Sequence, residues 1–122
     1  MEFIETPHFT NLITQYVPDE HYRALQLELQ ANPEKGDLIS GSGGLRKIRV
    51  GLPGSGKRGS ARVIYLYLKI ENLIYLLLIY RKSKSENLTR SQLSELRELA
   101  DQIKQAYRHE SRKQKRITGI QF

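Results

Sequence analysis

Between Gly41 and Arg62 the chain carries Arg46, Lys47, Arg49, Lys57, Arg58 and Arg62 with no carboxylate among them. Cations repel one another, so a folded chain seldom gathers so many unscreened charges unless an anion answers them. The chemistry open to such a set is phosphate chemistry: holding a phosphodiester or cutting it. Cutting RNA demands a base for the 2′-hydroxyl, charge to stabilise a pentacoordinate phosphorus, and a proton for the departing 5′ oxygen. Histidine pairs commonly move those protons, but His8, His21 and His109 are scattered along the chain. Arginine keeps its proton near neutrality, so a lysine or tyrosine must serve as base. Crowding by like charges disfavours the protonated form of a lysine, which makes Lys47 or Lys82 a candidate. A basic face that binds nucleic acid without cutting it uses the same residues, and both readings stay open at this point.

One motif misleads. Gly51 to Lys57 spells G-x-x-x-x-G-K, but Arg58 stands where a phosphate loop needs Ser or Thr to hold magnesium. That loop also needs a helix behind it to aim N–H groups at the phosphates, whereas ARVIYLYL is β-branched and aromatic. Nucleotide hydrolysis is therefore not the expected chemistry.

The cations require a scaffold. Leu45 to Val50 alternates as a strand, with Lys47 and Arg49 on one face and Arg46, Ile48 and Val50 on the other. Two residues along a strand span roughly 6.5 to 7 Å, so Lys47 and Arg49 can bracket one phosphodiester. Ala61 to Lys69 and Leu73 to Tyr80 read as a hairpin joined by Glu71 and Asn72, the second arm apolar enough to be buried on both sides. Arg81, Lys82 and Lys84 follow where the chain leaves the core. Upstream, Glu2 to Thr6 reads as a short edge strand. Phe9, Leu12, Ile13, Tyr16 and Val17 then mark a helix opened by Thr6 and Pro7. Pro18 breaks it and starts a second, with Tyr22, Leu25 and Leu29 on one face, ending at Asn32 and Pro33. Glu34 to Gly44 is turn material. Thr89 opens a last helix with Gln92 as its capping-box partner, and Leu93, Leu96, Ala100, Ile103 and Tyr107 form its packing face. Residues 110–122 are basic and weakly patterned, and are expected to be a mobile tail beyond a domain of residues 1–109.

The whole chain narrows the partners. Its 122 residues suffice for one domain with one core. With no cysteine there is neither a disulfide framework nor a thiolate metal site, and no metal is expected. No apolar run approaches the roughly 20 residues of a membrane span, and the start MEFIETPH does not read as a signal peptide. A soluble cytoplasmic protein with no membrane partner is the expectation. The net charge of +7 is divided unevenly: residues 1–41 hold two basic groups against seven acidic ones, residues 42–122 eighteen against six. The first third is thus expected to face away from the anionic partner.

This order of elements, with GSGGLRKIRV, GKRGSARVIYLY and IYLLLIYRKSKSENLT, resembles the RelE/HigB superfamily of bacterial toxins, and the HigB-type branch most of all, over about residues 2 to 108. The resemblance implies an α+β fold: a small antiparallel sheet with two N-terminal helices packed on one face and a C-terminal helix. It implies a metal-independent endoribonuclease, needing no cofactor, that inhibits translation by cutting mRNA in the ribosomal A site. It also implies a cognate antitoxin, commonly a helix-turn-helix protein, and the toxin alone is expected to be a monomer. Matched residue by residue, Lys47 becomes the candidate general base, Arg49 and Arg62 the stabilisers of the phosphorane, and Lys82 the candidate proton donor. Arg46, Lys57, Arg58, Arg81 and Lys84 are expected as further RNA or phosphate contacts. Two departures are visible. Leu88 stands near where some relatives place an active-site tyrosine, leaving Tyr80 and Tyr65 as possible substitutes. The Gly-rich turn is also longer, adding Lys57 and Arg58.

Overall fold

Thr6 and Pro7 fix where the first helix begins and where it lies. The Thr6 hydroxyl accepts the Phe9 N–H (3.2 Å) and donates to the Leu77 carbonyl (2.9 Å), so one side chain caps α1 (Pro7–Tyr16) and ties it to a strand far along the chain. Pro18 opens α2 (Asp19–Ala31), whose first turn carries Asp19 and Glu20, the sign that favours a helix N-terminus. The computed structural model describes residues 1–51, 61–81 and 88–121, with side chains followed as far as Arg108.

Five strands form one sheet: β1 (Glu2–Glu5), β2 (Asp37–Leu38), β3 (Leu45–Val50), β4 (Ala61–Leu68) and β5 (Leu73–Arg81), in the order β1-β5-β4-β3-β2. Every pairing is antiparallel except β1 with β5, so the expected antiparallel sheet is mostly antiparallel. Residue pattern reports burial, not chain direction, and β1 pairs with a strand remote in sequence. β2 lies inside the stretch expected to be turn, being too short for any alternation to register. The hairpin turn spans Lys69–Asn72, and Asn72 takes the left-handed conformation (φ 54°) that asparagine tolerates.

Both faces of the sheet are covered, by different helices. Phe9, Ile13, Val17, Leu25 and Leu29 from α1 and α2 pack on Ile48, Val50, Val63, Tyr65, Ile74, Leu76 and Ile79. On the opposite face, α3 (Arg90–Gln121) lays Leu96, Leu99, Ala100, Ile103 and Tyr107 over Leu45, Ile64, Leu66, Leu68, Leu73 and Leu77. The expected capping box starts α3: the Thr89 hydroxyl accepts the Gln92 N–H at 3.1 Å, and the Gln92 side chain accepts the Thr89 N–H at 3.0 Å.

α3 does not stop after Tyr107. Its backbone stays helical to Gln121. The apolar periodicity fades there, but Glu110, Arg112, Lys113, Gln114, Lys115 and Arg116 are good helix formers and no glycine or proline intervenes before Gly119.

Two local features shape the sheet further. Ile64 pairs with Leu78 and Tyr65 with Leu76, leaving Leu77 as a bulge in β5. A bulge re-aims the residues beyond it: Tyr80 thereby comes opposite Arg62, and Arg81 opposite Ala61. At the other end of β3, Gly41, Gly43 and Gly44 all take positive φ around buried Ser42, which bonds the Leu45 N–H. α3 holds that loop, Arg97 donating to the Gly41 carbonyl and Lys104 to the Gly43 carbonyl.

Candidate phosphate-binding site

The face covered by α3 changes character along one line. On β3 buried Leu45 gives way to exposed Lys47 and Arg49; on β4 buried Ile64 gives way to Arg62; on β5 Leu78 gives way to Tyr80. Register makes this a row, because Arg49 lies directly opposite Arg62, and Arg62 opposite Tyr80. Opposed residues on neighbouring strands have Cβ atoms roughly 4.5 to 5.5 Å apart, and like charges so placed destabilise a sheet. Two unit charges about 6 Å apart repel by about 0.7 kcal/mol in bulk water and about 3 kcal/mol at an effective dielectric of 20. Lys47 adds a third cation two residues from Arg49 on the same face.

Two neighbours temper this charge. Asp37, on β2, lies directly opposite Lys47. Tyr80 is half-buried, and its hydroxyl is held above the ordinary value of 10.0 by burial, with the Arg62 charge working against that rise. Sequence reasoning missed Asp37, since nothing in the turn-like stretch around it marks a strand. It named Tyr80 but could not aim it, because the bulge at Leu77 is not written in the hydrophobic pattern.

The other expected contacts do not all join the row. Arg46 points to the opposite face, its guanidinium donating to the Glu34 carbonyl (3.0 Å) and the Gly36 carbonyl (2.7 Å). Arg81 also lies on that face, 5.6 Å from the centre of the Tyr16 ring in a cation–π contact. Tyr65, the other candidate aromatic, is fully buried among the α1–α2 core residues. Its hydroxyl donates to the Pro33 carbonyl (2.8 Å) and accepts the Gly36 N–H (2.9 Å), and burial raises its pKa. Lys57, Arg58, Lys82 and Lys84 lie outside the described residues. So does most of the G-x-x-x-x-G-K stretch, yet the element after it is β4, a strand and not the helix a phosphate loop requires. Among the described residues no group of His, Asp or Glu is placed to hold a metal ion, and no helix is long and apolar enough to cross a membrane.

A mixed sheet with two helices on one face and a long helix on the other is a small α+β fold. The structure of the E. coli toxin RelE, an arginine-to-alanine double mutant in the free state, superposes with a TM-score of 0.51 at 13% identity, over 70% of this chain and 86% of that one. The family model described as "RelE toxin of RelE / RelB toxin-antitoxin system" matches residues 15–119. The chain belongs to that family. The match runs on past residue 109 into the rest of α3.

Proposed function

We propose that this protein is the toxin of a toxin-antitoxin module and acts as a ribosome-dependent endoribonuclease, cutting mRNA in the A site without a metal ion and so stopping translation. The single observation carrying this reading is the like-charged pair Arg49 and Arg62, set opposite each other with Lys47 on the same face. A phosphodiester over that pair converts a repulsion into two charge-assisted contacts. The trigonal-bipyramidal phosphorane carries more negative charge than the bound ester, so the same two guanidinium groups favour it over the ground state. Lys47 is the candidate general base for the 2′-hydroxyl, and Lys82 the candidate donor to the 5′ oxygen. Lys57, Arg58 and Lys84 are assigned to RNA backbone contacts. The stretch GGLRKIR through LIYRK supports placement in the HigB-type branch. A cognate antitoxin of helix-turn-helix type, a monomeric free toxin and a cytoplasmic location complete the proposal.

The test is expression in a translating extract with 5′-end mapping of the mRNA. Cleavage is expected to persist in chelator at magnesium levels that keep ribosomes intact, and Arg62→Ala is expected to lower it about 10²- to 10³-fold, the range for removing one transition-state donor, with the fold intact by circular dichroism. Full activity in Arg62→Ala would remove the assigned mechanism. A non-catalytic RNA-binding module predicts instead a flat alanine series over Lys47, Arg49 and Arg62, each step small and none decisive.

A further inference from the structure

β2 is only two residues long, yet both of its ends are fastened by side chains from elsewhere in the fold. Before it, Gly36 donates its N–H to the Tyr65 hydroxyl (2.9 Å), its carbonyl accepts from the Arg46 guanidinium (2.7 Å), and a Cβ there would stand 2.9 Å from the Lys47 carbonyl. After it, the Ile39 N–H donates to the Leu45 carbonyl (2.9 Å) and the Ile39 carbonyl accepts from the Ser42 hydroxyl, while Arg97 and Lys104 of α3 hold the loop beyond. None of these bonds touches the cationic row. Their shared effect is to fix the register of β2 on β3, which so short a strand cannot secure through its own ladder. That register sets Asp37 directly opposite Lys47. Ile39, two residues on, packs beneath α3 with Leu45, so Asp37 and Lys47 share the α3 face where it opens to solvent. β3, β4 and β5 contain no carboxylate, and Glu2 and Glu5 belong to β1 at the other edge of the sheet. Among the described strands, Asp37 is therefore the carboxylate that stands beside the row.

We propose that Asp37 is a positioning residue for cleavage: it holds the Lys47 side chain at the row and offsets the charge that Lys47 acquires on taking the 2′-hydroxyl proton. The inference rests on the endoribonuclease reading above. In that step the 2′ O–H bond breaks and its proton goes to the Lys47 amine. The 2′ oxygen bonds to phosphorus, and the bond to the 5′ oxygen breaks, leaving its electron pair on that oxygen to be protonated by the donor. The ammonium so formed joins Arg49 and Arg62, and a third like charge within one or two strand spacings costs energy. Asp37 offsets that cost from the side of Lys47 that no cation occupies, since the residue opposite Lys47 on β4 is Ile64. Opposed side chains have Cβ atoms roughly 4.5 to 5.5 Å apart, where an opposite-charge pair is favourable. The same attraction confines a long side chain with many rotamers, which its cationic neighbours would otherwise drive outward into solvent. Asp37 thus acts through Lys47 and not by contact with the RNA, which a carboxylate repels.

The experiment compares the native chain with Asp37→Asn, Asp37→Glu, Leu38→Ala and Arg62→Ala, each checked for fold by circular dichroism. Two quantities are read: the cleavage rate at saturating protein on ribosomes carrying mRNA, and binding to the same ribosomes carrying a 2′-O-methyl mRNA that cannot be cut. Asp37→Asn is expected to lower the rate roughly tenfold to hundredfold, the scale of a misplaced catalytic group, while binding holds or tightens because a negative charge has left a phosphate-binding face. Asp37→Glu returns the charge and should recover most of the rate. Leu38→Ala, on the same strand but the opposite face, should leave both quantities native. Cleavage in Asp37→Asn at the native rate or faster would mean a carboxylate that only repels RNA, and would overturn the proposal. So would no recovery in Asp37→Glu, or a loss in Leu38→Ala as large as that in Asp37→Asn, which would trace the effect to β2 itself. Arg62→Ala separates the two readings: cleavage lost there, with Asp37→Asn behaving as native, leaves the enzyme standing and removes only the role of Asp37. A native chain that cuts nothing, or full activity in Arg62→Ala, removes the endoribonuclease mechanism and this inference with it.

Discussion

The Tyr65 hydroxyl donates to the Pro33 carbonyl and accepts from the Gly36 N–H, so Tyr65→Phe leaves a partly buried carbonyl and a buried N–H without that partner. Unsatisfied groups of that kind cost about 1–3 kcal/mol, and for a domain of this size that lowers Tm by roughly 5 °C or more. Cleavage per folded molecule is expected to stay native, so Tm should fall while turnover does not; an unchanged Tm would contradict the structural role. Gly36 shows how close the fit is. A Cβ there would sit 2.8 Å from the Tyr65 ring and 2.9 Å from the Lys47 carbonyl, so Gly36→Ala is expected to destabilise through the same turn. At this scale the sequence displayed residue types well: Lys47 and Arg49 share the face that alternation assigned them, and only the strand register sets Arg62 beside them. It was silent on partners. Arg46 and Arg81 look the same as their neighbours in a charge count, yet one is spent on two backbone carbonyls and the other on the Tyr16 ring.

Elements with strong local signals were legible. Thr6 with Pro7, Pro18, and Thr89 with Gln92 announced three helix starts, and each is where the residue types placed it. Removing one such signal tests it: Thr89→Ala is expected to cost about 1 kcal/mol and to raise amide exchange in residues 90–93 before it affects the rest of α3. Equal protection in the mutant would mean that packing alone holds that turn. What was not legible depends on contacts distant in sequence. The parallel pairing of β1 with β5, the two-residue β2 and the bulge at Leu77 all arise from how strands meet, not from the pattern within any one of them. The far end of α3, at Gln121, was not legible for the converse reason: apolar periodicity marks where a helix packs, whereas its length depends on propensity and on the absence of a breaker.

For the whole molecule, the uneven charge of the chain becomes a division of surfaces. α2 carries Glu20 and Glu28 outward on one side, while Lys47 and Arg49 stand exposed on the open sheet face. RNA binding is expected to weaken linearly on a log–log plot against salt. Lys47→Ala should reduce the slope by about one, whereas Lys35→Ala, whose ammonium pairs with Glu28, should leave it unaltered. Equal slopes for the two variants would contradict a localised interface. Alkaline pH tests the core as a unit. Burial raises Tyr22, Tyr65 and Tyr80 above the ordinary 10.0, Tyr22 helped by its hydrogen bond to Glu5. A raised folded pKa means stability that is complete below pH 10 and lost as pH climbs from there through the folded values. Denaturant midpoints measured between pH 8 and 11.5 should therefore hold level and then fall, and Tyr22→Phe should flatten that fall.

The unpaired residue at Leu77 also governs how this chain tolerates insertions and deletions. Removing Leu77 would let β5 pair with β4 without interruption and leave the ladder beyond it in place, Leu78 still meeting Ile64, Ile79 meeting Val63 and Tyr80 meeting Arg62. The loss of this one leucine would thus be absorbed at the bulge, with only its side chain missing from the core under α3. A residue inserted between Leu78 and Tyr80 would do the opposite, moving Tyr80 one place along and off the face it shares with Arg62.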